Sequence, residues 1–394
     1  MSHARATAAT GPARSWRVGC AAAVWLLTAA SSVMNAAAAA EPYSDLHNSC
    51  LAELVEQRAT RLGGGGGGEA VDVSAVVAAA GPCRLLVLSF PATGFDLLVG
   101  QPGSRQDFAA SVRTQQRLLM KQNGSALLVL DQPAAAEALR TGATAVVFAV
   151  EGLEWENCDA TVVDTLHAAG VRVIGPVHSF AGELISSPGG SDRGPAAVAN
   201  RGPRAIDDHS LLTGRGLAVV ERCFELGITV DVAHTGRAAF WQIAELNRGN
   251  QPIIASHANA RALRDTVRNL DDEQLRYIAS TGGVVGVCLH APLLVAGAKD
   301  ATVSDVVEHV EHLVKVMGQG HVAIGTDWGG RTEPPVALAS PGDLATLAAA
   351  LRGRNWTSDM IDDFMWRNAL RCLPPGSMLR ETVFLGGFIQ EVVE

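Results

Sequence analysis

Six residues that bind cations or carry protons sit at matching places in the sequence. His47, Glu151, His178, His234, His257 and Asp327 each end a short apolar run or follow it closely: "YSDLH", "AVVFAVE", "VRVIGPVH", "ITVDVAH", "PIIASH" and "HVAIGTD". A neutral imidazole offers one nitrogen lone pair, and a carboxylate offers anionic oxygen. Together they suit zinc or another divalent ion. A single histidine at a strand end is more often a satisfied core or rim residue. The recurrence of the pattern in six separate runs is what points to a metal centre.

The elements that must position these residues are legible as well. The strand candidates are 43–49, 84–90, 126–130, 145–152, 171–178, 228–234, 252–257, 283–290 and 321–330. Amphipathic stretches such as 216–227, 271–283 and 303–318 separate several of them. Near-continuous apolar strands alternating with amphipathic helices predict a parallel sheet covered by helices. About eight such units in a chain of this size predict a (β/α)8 TIM barrel with loop insertions, whose strand C-termini converge on one mouth. An open doubly wound sheet is the alternative. It calls for a Gly-rich phosphate turn after the first strand, and none is present.

Composition narrows the function class. Lys and Arg are scattered and the formal net charge is −9, so there is no basic footprint for nucleic acid. Residues 1–40 read as a secretory signal peptide. Arg14 and Arg17 precede the apolar run "VGCAAAVWLLTAASSVMNAAAAA", and small residues lead into "EPYSD". Cleavage is expected after Ala40, leaving 41–394 as one barrel domain, exported to the periplasm, the extracellular space or a membrane surface. An uncleaved anchor is the alternative, since the run is long enough to span a bilayer. The mature chain would keep Cys50, Cys83, Cys158, Cys223, Cys288 and Cys372. An even set in an oxidising compartment permits disulfides, but a core of this size needs no staples. No C-x-x-C pair exists, which excludes a zinc knuckle. The run "GGGGGG" at 63–68 and "SSPGGSDRGP" at 186–195 read as surface loops.

These motifs, in this order, resemble the membrane (renal) dipeptidase family of zinc metallopeptidases, over about residues 43 to 373. The family's opening Asp-x-His-x-Asp is matched by Asp45 and His47, then Ser49. Its "VEG" is Val150, Glu151 and Gly152, and its "THN" resembles "VHS", giving His178. "DLSH" appears as "DVAH" (231–234) and "SHS" as "SHA" (256–258). "RN" followed by "D" appears as Arg268, Asn269 and Asp271. "GSDFDG" appears as "GTDWGG" (325–330), and the closing "GN-x-LR" is echoed by "RNALR" (367–371).

The resemblance implies a two-zinc hydrolase of dipeptides. Glu151, His234 and His257 would hold one zinc. His47, the bridging Glu151 and an Asp at position 49 would hold the other. The cations would activate a water for attack on the amide. Asp327 would orient that water and hold the substrate amine as general acid/base, and His178 would stabilise the oxyanion. Arg268 would clamp the substrate carboxylate with its planar guanidinium. Family members are often homodimers.

This chain departs from the pattern at Ser49, a neutral hydroxyl where an anionic oxygen is expected. Asp45 is no substitute, because the family has Asp there too, about 6–7 Å down the strand from the mouth. The zinc at His47 and Glu151 is therefore expected to bind weakly. "DWGG" also removes a carboxylate at Gly329, and "CLHAP" after "GVVGV" lacks the aromatic expected beside the substrate. Two other functions stay open on the sequence: a catalytically inactive barrel acting as a secreted binding protein, and a hydrolase of related small amides or lactones.

Overall fold

The computed structural model describes Val77 and residues 41–48, 80–91, 105–120, 124–153, 158–178, 181–186, 206–248, 251–297, 301–329 and 332–376. The expected signal peptide, Ser49, Cys50, the glycine run and nearly all of the second expected loop lie outside these residues.

The strands are β1 (Tyr43–Asn48), β2 (Cys83–Pro91), β3 (Ala126–Leu128), β4 (Thr144–Glu151), β5 (Val171–Gly175), β6 (Ile185–Ser186), β7 (Leu211–Leu212), β8 (Thr229–Asp231), β9 (Ile253–Ala258), β10 (Val285–Val287) and β11 (Val322–Ile324). Eight of them form a ring in the order β1-β2-β4-β5-β8-β9-β10-β11, each pair parallel. The ring closes where Asn48 bridges Trp328 in parallel and Asp327 N–H donates to His47 O at 3.0 Å. This is the expected (β/α)8 barrel, and the open sheet is excluded.

Two short pieces stand off the ring. β3 pairs only with the start of β4, so the candidate at 126–130 contributes nothing to the mouth. β6 and β7 form a small antiparallel pair.

Both faces of the ring are buried, which is why its strands lack polar alternation. Inside, Leu46, Leu85 and Val87 pack against the small Ala145, Ala149 and Ala323. Ala369, Cys372 and Leu373 close the lower end. Outside, Leu86, Leu88, Phe148 and Ile174 face the helices. The longer helices are α1 (Arg105–Leu119), α2 (Gln132–Arg140), α3 (Thr161–Ala168), α4 (Gly214–Glu225), α5 (Arg237–Asn247), α6 (Asp272–Ser280), α7 (Val303–Met317) and α8 (Leu344–Gly353). α6 and α7 open on capping boxes, Asp271 with Gln274 and Thr302 with Asp305. Among the described residues no helix is long and apolar enough to cross a membrane. Cys83, Cys223, Cys288 and Cys372 are buried free thiols.

Candidate metal centre

Glu151 ends β4 at the mouth, buried, and four histidines surround its carboxylate. Oε1 faces His234 Nε2 at 3.1 Å and His257 Nε2 at 3.4 Å. Oε2 faces His47 Nε2 at 3.5 Å and His178 Nε2 at 3.8 Å. His234 Nε2 and His257 Nε2 are 3.0 Å apart. Two groups have a spacing that could hold an ion: His47, Glu151 and His257, and Glu151, His178 and His234. These side chains come from β1, β4 and β9 and from the segments just beyond β5 and β8, because the barrel brings all its strand C-termini to one end.

Asp327 stands three residues beyond β11 with φ +60°, and its Oδ1 is 3.8 Å from His47 Nε2. The left-handed backbone turns this side chain into the mouth, an uncommon conformation for a non-glycine residue. Arg268 lies in the loop after β9. Its Nη2 donates to His234 Nε2 at 2.8 Å, while its Nη1 is buried without a hydrogen-bond partner. Side chains brace that loop. Asn269 Nδ2 donates to Arg264 O and Leu293 O, Ala260 N–H donates to His309 Nδ1, and Asn259 exchanges bonds with the Cys288 backbone.

The electrostatics follow from burial and crowding. Burial alone would raise the Glu151 carboxyl, but His47 and His178 hold it well below the usual range. Burial lowers His234, His257 and His178, the first with help from the Arg268 charge, so these rings are neutral and their lone pairs available. Burial would lower His47 too, yet the Glu151 carboxylate overrides it and pushes this ring up to about 9. Burial raises Asp327 to about 7, with Glu151 adding to the rise and His47 opposing it.

The membrane dipeptidase family, peptidase family M19, matches residues 89–382. The chain belongs to that family. It is 33% identical over 237 residues to the "uncharacterized protein in pqqA 5′ region" of Klebsiella pneumoniae, an alignment covering 58% of this chain and 81% of that one. It is 28% identical over 274 residues to the "uncharacterized dipeptidase C965.12" of Schizosaccharomyces pombe, covering 68% of this chain and 61% of that relative's length. Among solved structures, a metallopeptidase from Rhodobacter sphaeroides, liganded with a phosphinate mimic of the dipeptide L-Ala-D-Ala, matches with TM-score 0.65. That match is 22% identical over 84% of this chain and 98% of that one.

The family motifs fall into two groups in the fold. The first brings His47, Glu151, His178, His234, His257, Arg268 and Asp327 to one mouth. The second supports structure. Asp271 caps α6 and accepts from Arg237 Nε at 2.7 Å. Asn368 of "RNALR" ties the barrel floor to Gln319 O and Val322 O. Arg268 shows no carboxylate partner among the described residues, so it is not an ordinary loop ion pair.

Sequence reasoning passed over Asp231 and Ser256, which stand inside "DVAH" and "SHA". Ser256 Oγ touches His47 Nδ1 at 3.1 Å, His257 Nδ1 at 2.8 Å and Asp231 Oδ2 at 2.5 Å. Their signal was a second polar residue in each of two otherwise apolar strands.

Proposed function

We propose that this protein is a zinc-dependent hydrolase of dipeptides, with its firmest metal seat at Glu151, His234 and His257. One observation carries the reading. Three acceptor atoms converge within 3.4 Å of one another, and Glu151 Oε1 is buried with no hydrogen-bond partner. His234 Nε2 accepts a hydrogen bond from Arg268 and so carries no proton itself; a cation would take over that lone pair and displace the bond. A cluster of proton-free donors at such spacing suits a cation, and imidazole with carboxylate suits zinc.

Zinc held there would supply an acidified water and a polarised substrate carbonyl. The chain's own residues do the rest. Asp327, near 7, takes a proton from the attacking water and returns it to the leaving amine at neutral pH. His178 borders the same carboxylate from the open side and is placed to donate to the developing oxyanion. Arg268 keeps a buried, unpartnered N–H for an anionic ligand, which a dipeptide's C-terminal carboxylate satisfies. The Rhodobacter relative of the same fold holds a dipeptide mimic, in keeping with this substrate class.

Purified protein should contain zinc and hydrolyse members of a panel of Xaa-Yaa dipeptides, with a chelator abolishing turnover and zinc restoring it. Absence of both bound metal and turnover in the presence of added zinc would overturn the reading. That result would favour a secreted binding protein instead, the reading that Ser49 supports.

A further inference from the structure

We infer that Ser256, held by Asp231, is a positioning residue that sets the tautomer of two metal-facing histidines at once. The inference rests on the zinc reading for its consequence but not for its geometry. Asp231 accepts three hydrogen bonds: Oδ1 receives Ala233 N–H at 3.0 Å and Ser256 N–H at 2.9 Å, and Oδ2 faces Ser256 Oγ at 2.5 Å. The Ser256 hydroxyl donates to the oxygen that the two N–H groups leave open. A hydroxyl has one hydrogen and two lone pairs. With its hydrogen spent on Asp231, Ser256 can only accept from His47 Nδ1 at 3.1 Å and His257 Nδ1 at 2.8 Å. Both rings must then carry a proton on Nδ1: His257 turns a bare Nε2 toward Glu151 at 3.4 Å, and His47, which holds a second proton beside Glu151 without metal, bares its Nε2, 3.5 Å from that carboxylate, when a cation displaces it.

The backbone protects this arrangement. Ser256 is buried in the middle of β9, and its carbonyl is crowded by Gly286 of β10 and Gly325 just beyond β11. A Cβ at Gly286 would meet that oxygen at 2.0 Å and one at Gly325 at 1.9 Å, so larger residues there would force β9 to move. One hydroxyl thus couples two ligands from two strands. Partners on the far ring nitrogen normally fix a metal-binding histidine, and their loss typically costs about 10–100-fold in metal affinity.

The test uses the full mature chain, zinc alone as the probe, and ring-15N-labelled histidine. The unsubstituted protein should show His257 as the Nδ1–H tautomer without metal, and both His47 and His257 as Nδ1–H with zinc bound. Ser256→Ala should let His257 populate the other tautomer and lower zinc affinity about 10–100-fold, measured by competition with a chromophoric chelator. Ser256→Thr, which keeps the hydroxyl, should restore both. Asp231→Asn, nearly isosteric, supplies a second check should Ser256→Ala fold poorly. Its amide N–H would donate to Ser256 Oγ, the serine hydroxyl would then donate to the Nδ1 of one imidazole, and that ring would hold its own proton on Nε2, with a similar loss of affinity. An unchanged His257 tautomer in both variants would overturn the inference, even if zinc binds. Absence of zinc binding with the tautomer signature intact would instead strike the metal reading and leave this inference standing.

Discussion

Thr326 donates twice to Asp45, from its backbone N–H to Oδ1 at 2.8 Å and from its hydroxyl to Oδ2 at 2.7 Å. These bonds join the last strand of the ring to the first. Asp45 is fully buried and also accepts from His47 N–H and Asn48 Nδ2, so its oxygens are committed. It is the seam of the barrel rather than a ligand, and the seam sets the distance between His47 and Asp327. Asp45→Asn puts an amide donor against donors from Asn48 and Thr326. The expected cost is about 1–3 kcal/mol, the penalty of a buried polar group left unsatisfied. Urea unfolding should show a lower midpoint with an unchanged slope.

Arg268→Ala should raise KM for dipeptides about 10–100-fold, the loss of a hydrogen bond to a charged group. It should do little to KM for the corresponding C-terminal amides. The buried Nη1 with no partner requires this split, because only substrates with a free carboxylate fill that gap. Equal losses on acids and amides would point to a structural role through His234, which the other guanidinium nitrogen already touches.

His309 links stability to pH. Its Nδ1 accepts from Ala260 N–H and its Nε2 donates to Leu294 O, so the neutral ring braces both ends of the stretch that carries Arg268. Burial lowers its pKa below the ordinary 6.5, His312 adds to that, and Leu294 O, Asp305 and Glu308 oppose it. The unfolded chain therefore takes up this proton first as pH falls. The contribution is fully present above about 6.5 and is lost as pH drops below that value. A His309→Gln variant should lose less Tm than the parent between pH 7 and pH 5. Parallel Tm curves would remove this role.

The site was legible to the extent that chemistry sits at strand ends. Apolar runs stopping at His47, Glu151 and His257 give away both the strands and the mouth, because nothing apolar is needed where the barrel opens. The reach of the strands was less legible. In "ITVDVAH" regular strand covers only Thr229–Asp231 and in "HVAIGTD" only Val322–Ile324; beyond them the chain keeps single bonds to its neighbours, such as Asp327 N–H to His47 O, while turning His234 and Asp327 into the mouth. "ALLVL" looked like a ring strand and is not, because its composition is that of any buried strand and only pairing geometry separates them. The Ser256 and Asp231 pair was hidden for another reason. A serine and an aspartate 25 residues apart acquire meaning only when β8 and β9 lie side by side.

Ser49 offers a test in the direction of gain. The family pattern has an aspartate at that position, and here a serine stands there. A neutral hydroxyl is a poor substitute for an anionic oxygen at a divalent cation, so on the proposed two-seat reading the seat beside His47 would have only His47 and the shared Glu151 as protein ligands. The parent should therefore bind about one zinc per chain tightly, with the second held weakly. Restoring the carboxylate in Ser49→Asp should bring the tight stoichiometry to about two. Dipeptide turnover should rise with it at limiting zinc, because a second cation acidifies the attacking water further. Metal analysis after dialysis against a weak chelator reads the first effect, and initial rates across a zinc titration read the second. Two tight zinc ions in the parent would show that other groups complete the seat beside His47. One zinc in both proteins would show that position 49 never reaches it.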